Sequence, residues 1–140
     1  MTITIRPPTE EDRSDWDRLY QGYADFYKIP QSAEMRDKVW GWLMDAEHEV
    51  RCLVAEHDGA VVGLTHFRPF SSPLRAITNC FLDDIFVDPD HRGSGAARAL
   101  IEAVQEQAKT NGWGVVRWIT DDDNYRGRPG PIRQASHPHH

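Results

Sequence analysis

The chain has 140 residues, 39% of them hydrophobic, and a formal net charge of −6, which fits one domain with an ordinary core. No apolar run approaches the ~20 residues needed to span a bilayer, and the opening residues lack the basic-then-apolar pattern of a secretory leader, so no membrane partner and a cytoplasmic location are expected. The acidic balance disfavours phosphate-backbone binding, which needs clustered Lys and Arg, so no nucleic-acid partner is expected and a cationic partner such as an amine suits it better.

Residues 2–6 alternate and are rich in β-branched side chains, which predicts a short strand stopped by Pro7 and Pro8. Thr9 to Asp12 resembles a capping box with Asp in place of the usual Glu. Trp16, Leu19, Tyr20, Tyr23, Phe26 and Tyr27 then recur at spacings of mostly three and four, the apolar stripe of an amphipathic helix ended by Pro30. Ser32 can cap a second helix whose apolar face is Met35, Val39, Trp42 and Leu43, with Trp40 off that face. Residues 45–49 read as an acidic loop.

Residues 51–56 and 60–68 read as strands joined at Asp58-Gly59, a pair that tolerates the positive φ of a tight hairpin turn. Pro69, Ser71, Ser72 and Pro73 mark a loop. Residues 79–87 form the next strand and carry Asp83 and Asp84 inside an apolar run. A glycine loop follows, then a helix over 96–110 that stops at Asn111-Gly112, then a strand over 115–120. The order β-α-α-β-β-β-α-β predicts a mixed α/β fold with hairpins beside a parallel βαβ unit. Cys52 and Cys80 fall in separate strands with no CxxC pair, as expected of reduced core residues.

The segment from Val87 to Leu100 carries the clearest chemistry. A strand feeds Arg92-Gly93-Ser94-Gly95-Ala96-Ala97, which opens a helix. Backbone N–H groups of such a loop and the helix N-terminus converge on an anion, and the helix dipole favours negative charge. Gly93 and Gly95 permit close backbone approach, and Arg92 adds positive charge. A pyrophosphate is the natural ligand, although a short glycine loop is by itself also explained as a tight strand-to-helix turn. The loop is too short for dinucleotide-fold or P-loop fingerprints.

Arg92-Gly-Ser-Gly95-Ala-Ala97 resembles the acetyl-CoA motif Gln/Arg-x-x-Gly-x-Gly/Ala of the GNAT (GCN5-related) N-acetyltransferase family. Phe86-Val87-Asp88-Pro89 before it, the helix after it, Ile5-Arg6-Pro7, and Leu64 to Arg68 after Gly63 fit the same family over roughly residues 3–126. The resemblance implies the acyl-CoA N-acyltransferase fold, a central mixed sheet flanked by helices, and an enzyme that uses acetyl-CoA as cosubstrate. It places the cofactor's pyrophosphate on residues 92–97 and its pantetheine arm along Ile85, Phe86 and Val87, with Asn124 nearby. No metal is implied, and His137, His139 and His140 lack the fixed geometry of a metal site.

Transfer to an amine requires the ammonium to lose a proton. Leu82-Asp83-Asp84 resembles the Leu-Glu-Asp strand of diamine and histone-type acetyltransferases, which puts Asp83 in the place of the proton-accepting glutamate, with Asp84 the second choice. Alternation along a strand lets only one of the two face the substrate. Tyr20, Tyr23, Asp25, Phe26 and Tyr27 lie where this family often builds its acceptor pocket, with Tyr23, Phe26 and Tyr27 the residues expected to bind the acceptor, although their spacing is explained equally well by a core. The acceptor implied is a polyamine, another small-molecule amine or a protein lysine.

After Asn124 and Tyr125 the family's Ala-x-x-Leu-Tyr segment, which supplies a general acid, is absent, as are its last two strands. A truncation, or a frameshift close to Gly127, is the expected origin of this departure, with a genuine divergent end as the alternative. The expected division is a domain over 1–126 and a divergent, disordered tail over 127–140, whose Gly, Pro and polar residues cannot pack as a strand. Loss of those strands leaves an open sheet edge suited to a homodimer. The competing readings are an impaired acetyl-CoA-binding domain and a non-catalytic interaction domain.

Overall fold

The computed structural model describes residues 2–119 and 132–134. The alternating β-branched segments assemble one sheet: β1 (Ile3–Arg6), β2 (Arg51–His57), β3 (Ala60–Ser72), β4 (Ile77–Val87), β5 (Val116–Ile119) and β6 (Ile132–Gln134), in spatial order β1-β2-β3-β4-β5-β6. Every neighbouring pair is antiparallel except β4 and β5, which are parallel. The parallel pair is joined through helix α3 (Ala96–Thr110), as a parallel crossover requires. Asp58 at φ +53° and Gly59 at φ +84° make the tight turn between β2 and β3.

Strand β3 runs through Pro69 to Ser72 instead of stopping at residue 68. Beyond Phe67, which faces Arg51 at the start of β2, β3 has β4 on one side only. A proline is tolerated there, because no partner on the open side needs its missing N–H.

Helices α1 (Arg13–Phe26) and α2 (Ala33–Leu43) cover one sheet face and α3 covers the other. The first core joins Trp16, Leu19 and Trp40 to Val54, Leu64 and Phe86. The second joins Leu100, Val104 and Ala108 to Leu53, Phe67 and Leu82. The expected caps form: Asp12 accepts from the Thr9 backbone N–H at 2.7 Å, and Ser32 Oγ accepts from the Met35 N–H at 3.1 Å.

The buried face of α2 differs from the expected one. Arg36 and Trp40 are buried, while Met35 is 51% exposed. Arg36 Nε donates to Asp17 Oδ1 at 3.0 Å, so its charge is paired while its stem packs. The Trp40 ring lies 5.0 Å from that of Trp16. Val39 and Leu43 pack at the edge of this cluster as expected.

Two further features depart from the sequence reading. Strand β4 carries a β-bulge: His66 faces Asp84 and Phe67 faces Leu82, which leaves Asp83 as the extra residue. The tail also holds a strand where none was expected, since Ile132–Gln134 pairs with the outer edge of β5. Unpaired backbone groups on that edge favour even three added residues. Asn124 and Tyr125 lie outside the described residues, as does most of 127–140.

Candidate active site

The site is built where β4 and β5 part. Among the described residues they pair at Cys80 with Val116 and Phe81 with Arg117, yet β4 continues to Val87. The β4 edge beyond Phe81 therefore opens onto a cleft. At its far end a cavity of about 540 Å³ is lined by Ile85, Phe86, Val87, Arg92, Gly93, Gly95, Ala96 and Ala97, together with Phe26, Tyr27, His91 and Arg98.

Local chemistry shapes the loop. Gly93 and Gly95 sit at φ +86° and +92°, where a side chain would be strained. Among the described residues nothing lies within 4 Å of where a Cβ would stand on either, which leaves the backbone accessible to a ligand. Ser94 does not line the cavity; its Oγ accepts from the Ala96 N–H at 3.3 Å. The N–H groups of Ala97 and Arg98 lie in the first turn of α3, where no helical partner exists. Arg92 is tethered by its Nε to Val87 O at 3.2 Å, with its guanidinium over the rings of Phe26 and Phe86.

A second cavity of about 440 Å³ is lined by the preceding residues of β4, Asp83 and Asp84, by Tyr20, Val39 and Trp42, by Glu49 and Val50, and by His66 and Arg68. Alternation led to the expectation that one acid alone would face this side. The bulge at Asp83 changes that, and both acids border the cavity. Arg68 Nε donates to both oxygens of Asp83, at 3.0 and 3.2 Å. Burial raises Asp83 above the ordinary carboxylate range, and Arg68 only partly offsets this.

Asp84 sits in a buried network. Its Oδ2 accepts from Tyr20 Oη at 3.0 Å and lies 2.8 Å from His66 Nδ1, and Tyr23 also hydrogen-bonds to its carboxylate. Burial alone would raise Asp84, but these contacts outweigh it and hold Asp84 below its usual range. Tyr20 and Tyr23 are pushed well above the ordinary phenol range by burial and by Asp84, so both remain donors.

On the other side of the ring, Trp16 Nε1 donates to His66 Nε2 at 3.0 Å. Burial lowers the His66 pKa, while Asp84 and Cys52 raise it, on balance to about 10. That balance favours an imidazolium, which the hydrogen bonding opposes. An indole N–H can only donate, so a proton on Nε2 would set two N–H groups against each other. The geometry selects the neutral Nδ1–H ring, with Nδ1 donating to Asp84.

Of the residues expected to hold the acceptor, Tyr23 reaches Asp84, whereas Phe26 and Tyr27 line the first cavity. Trp42, Glu49 and Arg68 were missed as site residues, and His66 was not assigned to the acid pair. For His66 the signal was a polar residue two positions from Leu64 in a buried strand, the alternation that puts both on one face. Among the described residues no group of three or more His, Cys, Asp or Glu side chains is arranged to hold a metal ion. No helix among them is long and apolar enough to cross a membrane.

Comparison with known proteins agrees with this architecture. The chain is 23% identical over 128 residues to the D-amino-acid N-acetyltransferase HPA3 of Saccharomyces cerevisiae, covering 90% of this chain and 80% of that protein. It is 26% identical over 126 residues to the uncharacterized N-acetyltransferase YhfO of Bacillus subtilis, covering 90% and 84%. The solved structure of AAC(6')-Iy in complex with a bisubstrate analogue superposes with a TM-score of 0.74 at 20% identity, over 91% of this chain and 85% of that one, a likeness of fold. The sequence model of the acetyltransferase (GNAT) family matches residues 16–129. The chain therefore belongs to the GNAT acetyltransferases, enzymes that transfer acetyl groups to amines.

Proposed function

We propose that the chain is an N-acetyltransferase that moves acetyl from acetyl-CoA to a positively charged primary amine: a polyamine, another small amine or a lysine-like amino group. One observation carries this reading. A cavity bordered by the glycine loop and an acidic, aromatic-lined cavity are lined by successive stretches of the same strand, Ile85 to Val87 for the first and Asp83 and Asp84 for the second.

The loop fits the cofactor's pyrophosphate. Two positive-φ glycines leave the backbone bare, and the α3 N-terminus and Arg92 supply positive potential. The open β4 edge at Ile85 and Val87 offers backbone groups for the pantetheine arm, which needs donors and acceptors of that kind. When bound, acetyl-CoA supplies the acetyl group as a thioester. The remaining work belongs to the chain's own side chains.

Among the described residues, an ammonium in the second cavity meets three carboxylates, of Glu49, Asp83 and Asp84, against the guanidinium of Arg68. Tyr20 and Trp42 supply ring surfaces that suit a cation. Asp83 is the proton acceptor in this scheme. Its raised pKa brings it nearer neutrality and makes it the stronger base of the pair. Asp84, fixed by three donors and kept ionised, holds the ammonium by charge.

The reading is tested by calorimetric titration of the chain with acetyl-CoA, followed by release of CoA thiol with a panel of amines. Binding, and thiol release confined to amines that are cationic near neutral pH, supports it. Binding without release from any amine points instead to an acetyl-CoA-binding domain. No binding by a folded sample removes the proposal.

A further inference from the structure

We propose that His66 is a positioning residue for acceptor recognition: Trp16 locks it as the neutral Nδ1–H ring, which orients Asp84 while leaving that carboxylate's charge uncancelled for the acceptor's ammonium. The inference rests on the reading of the second cavity as an amine site.

Neutral imidazole has one N–H and one lone pair. The indole of Trp16 takes the lone pair at Nε2, so the ring's hydrogen is left on Nδ1, facing Asp84 at 2.8 Å. His66 is 1% exposed and Trp16 fully buried, so the Nε2 side is enclosed by protein. The groups facing the ring from each packed element agree. Cys52 stands across from it on β2, Asp84 on β4, and Trp16 and Tyr20 on α1, with the Tyr20 ring 4.6 Å away. Asp83, Arg68 and Glu49 border the cavity beyond, and Tyr23 shares Asp84.

The protonation state sets the charge that an incoming cation meets. With a neutral ring, three carboxylates face one guanidinium among the described residues that line the cavity. An imidazolium would cancel Asp84 and halve the excess of negative charge. Trp16 does not itself line the acceptor cavity; it donates to His66 Nε2, and its ring also packs 5.4 Å from that of Tyr20, so the protonation state of His66, read beside KM, isolates the route through the imidazole.

The test uses the full chain labelled with ¹⁵N-histidine, with two-bond ¹H–¹⁵N spectra recorded between about pH 5 and 8, the range in which an ordinary histidine loses its charge. The expected result is the Nδ1–H tautomer for His66 throughout. In Trp16→Phe the ring takes up a second proton within that range. The amine KM then rises roughly fivefold, the effect of about 1 kcal/mol of lost charge attraction, with kcat little changed. His66→Asn, whose amide N–H can replace Nδ1–H, keeps the parent KM, and His66→Phe does not.

An imidazolium pattern for His66 at neutral pH overturns the inference, as does a Trp16→Phe variant with unchanged ring protonation and unchanged KM. The spectra need no turnover, so the two readings fail separately. A chain that acetylates no amine yet shows the Nδ1–H ring removes the amine-site reading and the recognition role with it. Intact turnover with an imidazolium removes this inference alone.

Discussion

Gly95→Ala and Gly59→Ala form a matched pair that isolates the cofactor loop. Both glycines have positive φ, +92° and +84°, and at both nothing among the described residues lies within 4 Å of an added Cβ. The folded-state cost of each is therefore backbone strain alone, about 1–2 kcal/mol for an L-residue in the left-handed region. Reduced freedom of the unfolded chain offsets about 0.4–1 kcal/mol of this. Each variant should lose at most about 1.6 kcal/mol in urea denaturation, or up to roughly 6 °C in thermal midpoint for a domain of this size. Their ligand binding should then separate. Gly59 lies in the β2–β3 turn and does not line the first cavity, whereas Gly95 does. By calorimetry, acetyl-CoA should bind Gly59→Ala like the parent and Gly95→Ala at least about tenfold more weakly, about 1.4 kcal/mol. Equal weakening in both variants would show that binding follows global stability. Unchanged binding in both would show that the loop does not hold the cofactor.

Two further expectations concern the acid pair and α2. Asp84 has a lowered folded pKa, so its contribution to stability is present above the unfolded value of about 3.9 and is lost as pH falls below it. Urea midpoints of Asp84→Asn should accordingly fall less steeply than the parent's between about pH 4 and 2. Asp83 has the opposite sign: its raised pKa costs stability as pH rises from the ordinary carboxylate range through its folded value, so Asp83→Asn should remove that loss, and an identical pH dependence in parent and variant would refute it. Trp40→Ala should cost about 3–5 kcal/mol, and Met35→Ala under about 0.5 kcal/mol, because the first is buried against Trp16 and the second is exposed. A reversal of the two would restore the apolar face that the spacing of α2 suggests.

How much of the site could be read in the sequence follows from where its chemistry resides. The anion loop is contiguous and works through backbone groups, so Gly93, Gly95 and the start of α3 announce it locally. Caps and turns are legible for the same reason: Ser32 and Asp58-Gly59 act on neighbours a few residues away. The acceptor side is assembled from α1, α2, the loop before β2, β3 and β4, and each member is uninformative alone. Trp16 and His66 are fifty positions apart, and nothing in either segment signals the other. Arg36 is buried because Asp17 on another helix pairs with it, and this tertiary contact overrides the polar reading of its helix position. The bulge is the sharpest case. Alternation through 80–87 is sound on each side of Asp83: Cys80 and Leu82 face α3 before it, and Ile85 and Val87 face α3 after it. An even run and an odd run can share a face only if one residue between them is extra. The buried pattern thus requires a bulge once both faces are known, and that same extra residue brings two adjacent carboxylates to one cavity.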